Sequence, residues 1–281
     1  NSISLENRGS GMESLIKTQI ALDKANGLDV ILIEEPENHL DFSTLRKMLQ
    51  EISDKQNESQ IIVTTHNNMI ASRLNLKNVL WITENRVQSL SKVDEKVAEF
   101  FVKADDNAFL QLLLSKKGFL VEGATEFLLL PHFYKQLTGH SIEEDGISII
   151  SCNGISYKKY LAIADATGKR IAVITDNDKE QKKIDEATEF NKVNTLQHIF
   201  MGSTVDDWTW EISIYNINKN TLDGMITVQA GAKYLFHEKD YGAVVGKMLN
   251  NKVDTAYQML TSGKIFSVPQ YIKDAVGWIN E

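Results

Sequence analysis

Residues 171–180 read IAVITDNDKE. A short apolar run, β-branched in part, passes straight into acids at Asp176, Asp178 and Glu180. The run has the length and composition of a buried strand in a parallel sheet. Carboxylates crowded at its end repel one another and are costly to desolvate, so a metal, a lysine or water must answer them. Upstream, GFLVEGATE (118–126) has a similar form. Glu122 closes an apolar strand, Gly123 lets the backbone turn tightly, and Glu126 falls in the first turn of the next helix, where it can lean back. In an open α/β sheet the carboxyl ends of neighbouring strands share one crevice, so these four acids are expected to converge. An extended chain points residues i and i+2 the same way, so Asp176 and Asp178 are expected to face the crevice together. Glu180 reads as the exposed start of a helix.

Taken alone, Asp176 and Asp178 read as a helix cap before Lys179, with Glu122 and Glu126 solvated. The combination points instead to metal chemistry. Hard cations such as Mg²⁺ prefer oxygen ligands, and two of them about 4 Å apart can clamp the attacking and leaving oxygens of a phosphodiester.

The surrounding chain is compatible with this. Its 281 residues suggest one large or two medium domains, and a hydrophobic content of 42% is ample for packed cores. A single cysteine, Cys152, excludes an internal disulfide framework and fits a reducing cytoplasm. No apolar run is long enough to cross a bilayer, so no membrane partner is expected. The net charge of −8 shows no generally basic nucleic-acid surface, although a local groove or bound metals can invert the field near a site. The start, NSISLENRGSGMES, has no initiator methionine, and a piece of a longer protein is expected.

Strands alternating with helices predict an α/β fold in two modules. Residues 1–93 form the first, 94–116 a helical connector, 117–230 the second, and 231–281 a mainly helical end. In the first module, VILIEEPENHLD places Glu34 and Glu35 at the end of an apolar strand. His66 follows another strand in IIVTTHNN, and the turn RGSGMES, with Ser10 and Gly11, precedes a helix whose N-terminus could hold phosphate oxygens. Each feature alone is an ordinary strand end, histidine or cap. Their order resembles the C-terminal half of an ABC-type ATPase head. RGSGMES looks like a degenerate signature motif, VILIEEPE a Walker B with Glu35 as catalytic glutamate, NHLD the D-loop region, and His66 the switch histidine. No G-x-x-x-x-G-K-[ST] loop occurs, so this chain alone is not expected to hydrolyse ATP well.

The second module resembles a Toprim domain: FLVEGATE matches its glutamate motif, ISCNG its middle strand and glycine, and VITDND its DxD motif. An ABC half followed by Toprim is similar to the OLD (overcoming lysogenisation defect) family of ATP-dependent nucleases, which includes the nuclease subunit of Gabija anti-phage systems. The resemblance spans roughly 5–275 and is sharpest at 30–39, 61–67, 119–126 and 171–178. It implies a two-metal DNA endonuclease using Mg²⁺ or Mn²⁺, with Glu122, Asp176 and Asp178 as ligands and Glu126 as a second-site ligand. It also implies a later acid, for which Glu211 in WTWEIS is the candidate, with Asp206 and Asp207 behind it. A loop lysine before the final helix is matched by Lys264 in TSGKIFS, where it could neutralise charge on phosphorus. ATP in the full-length protein, a homo-oligomer (dimer or tetramer) and a UvrD-like helicase subunit are further expectations.

Lys158, Lys159, Lys169, Arg170, Lys179, Lys182 and Lys183 are read as lying near the crevice, where they could hold a DNA backbone. Two competing readings remain at this point. A topoisomerase- or primase-like Toprim enzyme would need a nucleophilic tyrosine or a different partner domain. An ATP-gated dimerisation or sensor module would not need the full set of acids.

Overall fold

The computed structural model describes residues 16–20, 29–38, 40–55, 59–67, 70, 78–83, 86–104, 108–229 and 231–281. The chain divides into two compact units, Asn1–Asn107 and Ala108–Glu281.

In the first unit, β1 (Val30–Glu34) and β2 (Gln60–Thr64) pair in parallel, with Glu34 opposite Thr64. Helix α1 (Phe42–Lys55) begins after Asp41, whose carboxylate accepts the N–H groups of Ser43 and Thr44. Its apolar stripe of Leu45, Met48, Leu49 and Ile52 packs on Ile31, Ile33, Ile61 and Val63. The alternate residues Leu32 and Ile62 point away and are 74% and 47% exposed. A hairpin is formed by β3 (Leu80–Thr83) and β4 (Arg86–Ser89), and α2 (Glu95–Ala104) follows.

The second unit is built on a four-stranded, all-parallel sheet of order β6-β5-β7-β8, comprising β5 (Lys117–Val121), β6 (Ile147–Ser151), β7 (Arg170–Ile174) and β8 (Gln197–Phe200). Helix α3 (Ala108–Leu114) packs on β6 and on α5 (Tyr157–Thr167), so the stretch read as a connector is divided between the two units. The other crossovers are α4 (Ala124–Thr138), which runs through Pro131 unbroken, and α6 (Gln181–Val193). Then come α7 (Trp210–Asp223), a short hairpin of β9 (Leu235–Phe236) and β10 (Lys239–Asp240), α8 (Ala243–Asn250), α9 (Lys252–Thr261) and α10 (Gln270–Asn280).

Both faces of this sheet are buried, as continuous apolar strands require. Phe119, Val121, Ile147, Ile149, Ala172 and Ile174 join one core with α4, α7, α9 and α10. Their alternates Leu120, Ile150 and Val173 are equally buried and, by the two-residue period of a strand, face the other way. Because β6 and β7 flank β5, the chain reverses its winding there, and the carboxyl ends of these strands open into the crevice of a doubly wound sheet. Among the described residues, no helix is long and apolar enough to cross a membrane.

Candidate active site

Register places the first acids side by side. Val121 pairs with Ile174, so Glu122 and Thr175 leave the sheet as neighbours. Glu122 Oε1 accepts the Thr175 hydroxyl and the Asp176 N–H, the latter at 3.0 Å. Asp176 Oδ1 in turn accepts the N–H of Trp210, at the start of α7, at 3.0 Å. Glu126, in the first turn of α4, folds back so that Oε2 accepts the Gly123 N–H at 3.2 Å. The first turn of α7 carries Glu211, only 3% exposed.

These carboxylates feel one another. Burial, then Glu122 and Glu211, pushes the Asp176 carboxyl up to about 8. Burial, with Glu211 and Glu122 adding to it, raises Glu126 to about 7. Tyr271, from the first turn of α10, has its phenol raised well above the ordinary value by burial and by the Asp176 charge.

A positive group from a later helix answers this charge. Lys252, the first residue of α9, places Nζ 3.0 Å from Glu211 Oε2. Burial alone would lower its pKa, but Glu211, Asp176 and Glu126 outweigh that and raise it. Lys252 is absent from the sequence reading. Nothing in NNKVD marks it, because its partner lies in a different helix.

The DxD segment departs from expectation. The strand ends at Ile174, and Asp178 and Lys179 adopt left-handed φ values of 52° and 66°. The period-two argument therefore fails beyond the strand. Asp176 points into the cluster, while Asp178 is exposed and bonded to Lys183. The turn is held by Asn177, which is fully buried. Its Nδ2 donates to the carbonyls of Gly202, Thr204 and Asp207 at 2.9–3.2 Å, and its Oδ1 accepts the Lys179 N–H at 2.9 Å. Asn177 thus ties the acid-bearing turn to the loop that leads into α7 and Glu211.

The proposed basic residues separate into groups. Lys158 and Lys159 sit in the first turn of α5, at the crevice end of the sheet. Lys179 lies over the rings of Trp208 and Tyr241, at 4.3 and 4.7 Å, and donates to the Tyr241 hydroxyl. Lys182 is exposed and pairs with Glu186 along α6. Lys169 and Arg170 do not belong to the crevice, because they begin β7 and the crevice lies at its end. Lys169 Nζ is buried against the carbonyls of Leu113 and Ser115, and Arg170 binds the Trp278 carbonyl and stacks on the Trp278 ring. Lys264 lies exposed in the loop before α10, and among the described residues no hydrogen bond ties its side chain to the acids. Asp207 accepts from Asn216 and holds the loop rather than the cluster. A cleft of about 330 Å³ adjoins Glu122, lined also by Cys152, Tyr157, Thr175 and Lys183.

Oxygen-only donors suit a hard cation. Oε1 of buried Glu211 has no hydrogen-bond donor, which is an opening for such an ion. Yet among the described residues no three acids, histidines or cysteines are already set around one point as a metal ion would require.

In the first unit, Glu35 and His66 end β1 and β2 and meet, with His66 Nδ1 3.5 Å from Glu35 Oε1. Glu35 has φ 42° and accepts Asn38 Nδ2 at 2.9 Å. Glu34 is exposed. Glu37, unremarked in the sequence, is buried and accepts the Thr65 hydroxyl and the His66 N–H. Ser10 and Gly11 lie outside the described residues.

Comparison with known proteins follows the same division. Residues 113–178 match a family model described as "Overcoming lysogenization defect protein-like, TOPRIM domain". Residues 3–72 match one described as "AAA domain, putative AbiEii toxin, Type IV TA system". The chain is 27% identical over 167 residues to the Old nuclease of Escherichia phage P2, taking in 55% of this chain and 28% of that protein's length. Among solved structures, the C-terminal region of the Burkholderia pseudomallei OLD protein is similar at 16% identity and a TM-score of 0.45, over 59% of this chain and 98% of that one.

Proposed function

We propose that this chain, which is of the OLD family and joins an AAA-type ATPase part to a Toprim part, is the nuclease centre of a divalent-metal-dependent DNA endonuclease. The carrying observation is the meeting of Glu122, Glu126, Asp176 and Glu211 at one end of the sheet, where burial first and the neighbouring carboxylates second raise Glu126 and Asp176. The OLD-like Toprim match covers three of these four, and the similarity to a phage nuclease supports the reaction class.

Glu122, Glu126, Asp176 and Glu211 would hold Mg²⁺ or Mn²⁺, with Asp178 turning in from its bond to Lys183. Such ions, when bound, polarise the phosphate and stabilise the attacking and leaving oxygens. The chain's own part is to fix the donors. Thr175 and the Asp176 N–H aim Glu122, the Trp210 N–H aims Asp176, and Asn177 anchors the turn between them. Lys264, on its loop, would offset charge on the phosphate, while Lys158, Lys159, Lys179 and Lys182 would meet the DNA backbone. Glu35 and His66 would act on ATP in the full-length protein and regulate the nuclease. A cytoplasmic homo-oligomer acting in anti-phage defence, in the Gabija manner with a helicase subunit, completes the reading.

The test is cleavage of supercoiled plasmid by the full-length protein with Mg²⁺ or Mn²⁺. Asp176→Ala and Glu122→Ala are each expected to abolish nicking while retaining the thermal unfolding transition. Persistent cleavage by both variants would refute the assignment.

A further inference from the structure

Four carboxylates meet at this site, and the ammonium of Lys252 reaches one of them, Glu211. A permanent buried ion pair repays the loss of hydration only through good geometry and further hydrogen bonds. Lys252 Nζ is 3.0 Å from Glu211 Oε2, which settles the charge. Lys252 is the single charged partner this contact gives Glu211 among the described residues, and Glu211 Oε1 has no hydrogen-bond donor although the side chain is 3% exposed. Both residues of the pair lie in first helical turns. Glu211 lies in the first turn of α7, which Thr209 caps, and Lys252 opens α9 directly after Asn251, where α8 ends. A lysine ammonium is a point charge on a flexible four-carbon stem, so it can turn away without either helix having to shift.

The acids around Glu211 are not closed on a common point. A cation held by Glu126, Asp176 and Glu211 would share the Glu211 carboxylate with the Lys252 ammonium, which lies 3.0 Å from one of its oxygens. It would also meet the repulsion of the lysine charge at close range.

We propose that Lys252 is a displaceable counter-ion: its ammonium holds Glu211 in the metal-free protein, and the divalent cation bound through Glu126, Asp176 and Glu211 enters in exchange for it. This rests on the metal-site reading above and adds a competitor built into the chain. The exchange lowers affinity for that ion and leaves ion binding on the Glu122 side untouched. It also frees the Lys252 ammonium when the ion arrives.

Two measurements on the full-length protein without DNA test this. The first uses the unaltered protein: lysines are reductively dimethylated with chelator or with Mn²⁺, and the label is located by mass spectrometry. Lys252 is expected to react slowly in chelator and several-fold faster with Mn²⁺. An unchanged or slower rate with Mn²⁺ overturns the exchange. The second is calorimetric titration with Mn²⁺. Lys252→Met should bind one ion about ten-fold more tightly than the unaltered protein, since a like charge within a few ångströms has been removed. Lys252→Arg, which keeps the charge, should not. Equal or weaker binding by Lys252→Met makes the pair a structural salt bridge and refutes the proposal. If the unaltered protein binds no Mn²⁺ at all, the metal-site reading itself falls, which separates the two failures.

Discussion

Glu126→Gln tests whether the acids are mutually destabilising in the absence of metal. Glu126 has its carboxyl raised from 4.5 to about 7, by burial first and then by Glu211 and Glu122. A group whose folded pKa is raised binds its proton more readily when folded. It therefore contributes fully below the unfolded value, and that contribution is lost as pH climbs through the folded one. For Glu126 the window runs from about pH 4.5 to 7, and the Asp176 contribution continues to fall up to about pH 8. A rise of about 2.5 pH units, at about 1.4 kcal/mol each, amounts to about 3 kcal/mol. Because Glu126 is only 6% exposed, solvent screening removes little of this. Glutamine preserves the shape, and its amide oxygen can still accept the Gly123 N–H, but it does not titrate. In chelator, the two proteins should be equally stable near pH 4.5 and diverge to about 3 kcal/mol in favour of the variant by pH 8. Urea unfolding followed by fluorescence reads this out, since Trp208, Trp210 and Trp278 all lie in the second unit. Mn²⁺ should restore the unaltered protein at pH 8 more than it helps the variant. Parallel stability curves from pH 4.5 to 8 would refute the electrostatic account.

Asn177→Ala removes the donor shared by three loop carbonyls and the acceptor of the Lys179 N–H, so it should cost about 2–4 kcal/mol and weaken Mn²⁺ binding. Gly202→Ala would place a Cβ 2.1 Å from the Asp207 carbonyl. That loop must shift, at about 1–3 kcal/mol in urea unfolding. Lys169→Met should lower stability by about 2–3 kcal/mol through two lost charged hydrogen bonds, yet leave cleavage per folded molecule unchanged, as befits a residue away from the crevice. Lys264→Met should slow cleavage about a hundred-fold at unchanged Mn²⁺ affinity, and a change in affinity instead would move this lysine from the phosphate to the metal ligands.

What the sequence disclosed follows the range of the forces involved. Strands β5 and β7 and their terminal acids were legible because apolar runs, a glycine turn and clustered carboxylates are local signals. That Glu122 and Asp176 meet followed from one topological rule about neighbouring parallel strands. The orientation of Asp178 did not follow, because period two holds only while the chain stays extended, and the backbone turns left-handed within four residues of Ile174. Lys169 and Arg170 were misplaced for a related reason. They adjoin the motif in sequence, but a five-residue strand separates its two ends by about 13 Å. Glu211 was reached only through the family resemblance, since an acid in a first helical turn usually serves the helix dipole.

Lys252 was beyond any such reading, and it alters the question that the crowded acids raise. Metal, lysine and water look like alternatives when only the strand end is in view. In the folded chain a lysine reaches the cluster, but burial and the crowding of the carboxylates still hold Glu126 and Asp176 well above the usual range. A cluster evolved only for stability would be better served by neutral side chains or by a second lysine. An undercharged cluster with one movable cation is instead suited to accept further positive charge from solution. On the exchange proposed above, the lysine and the metal would be successive occupants of the same ground.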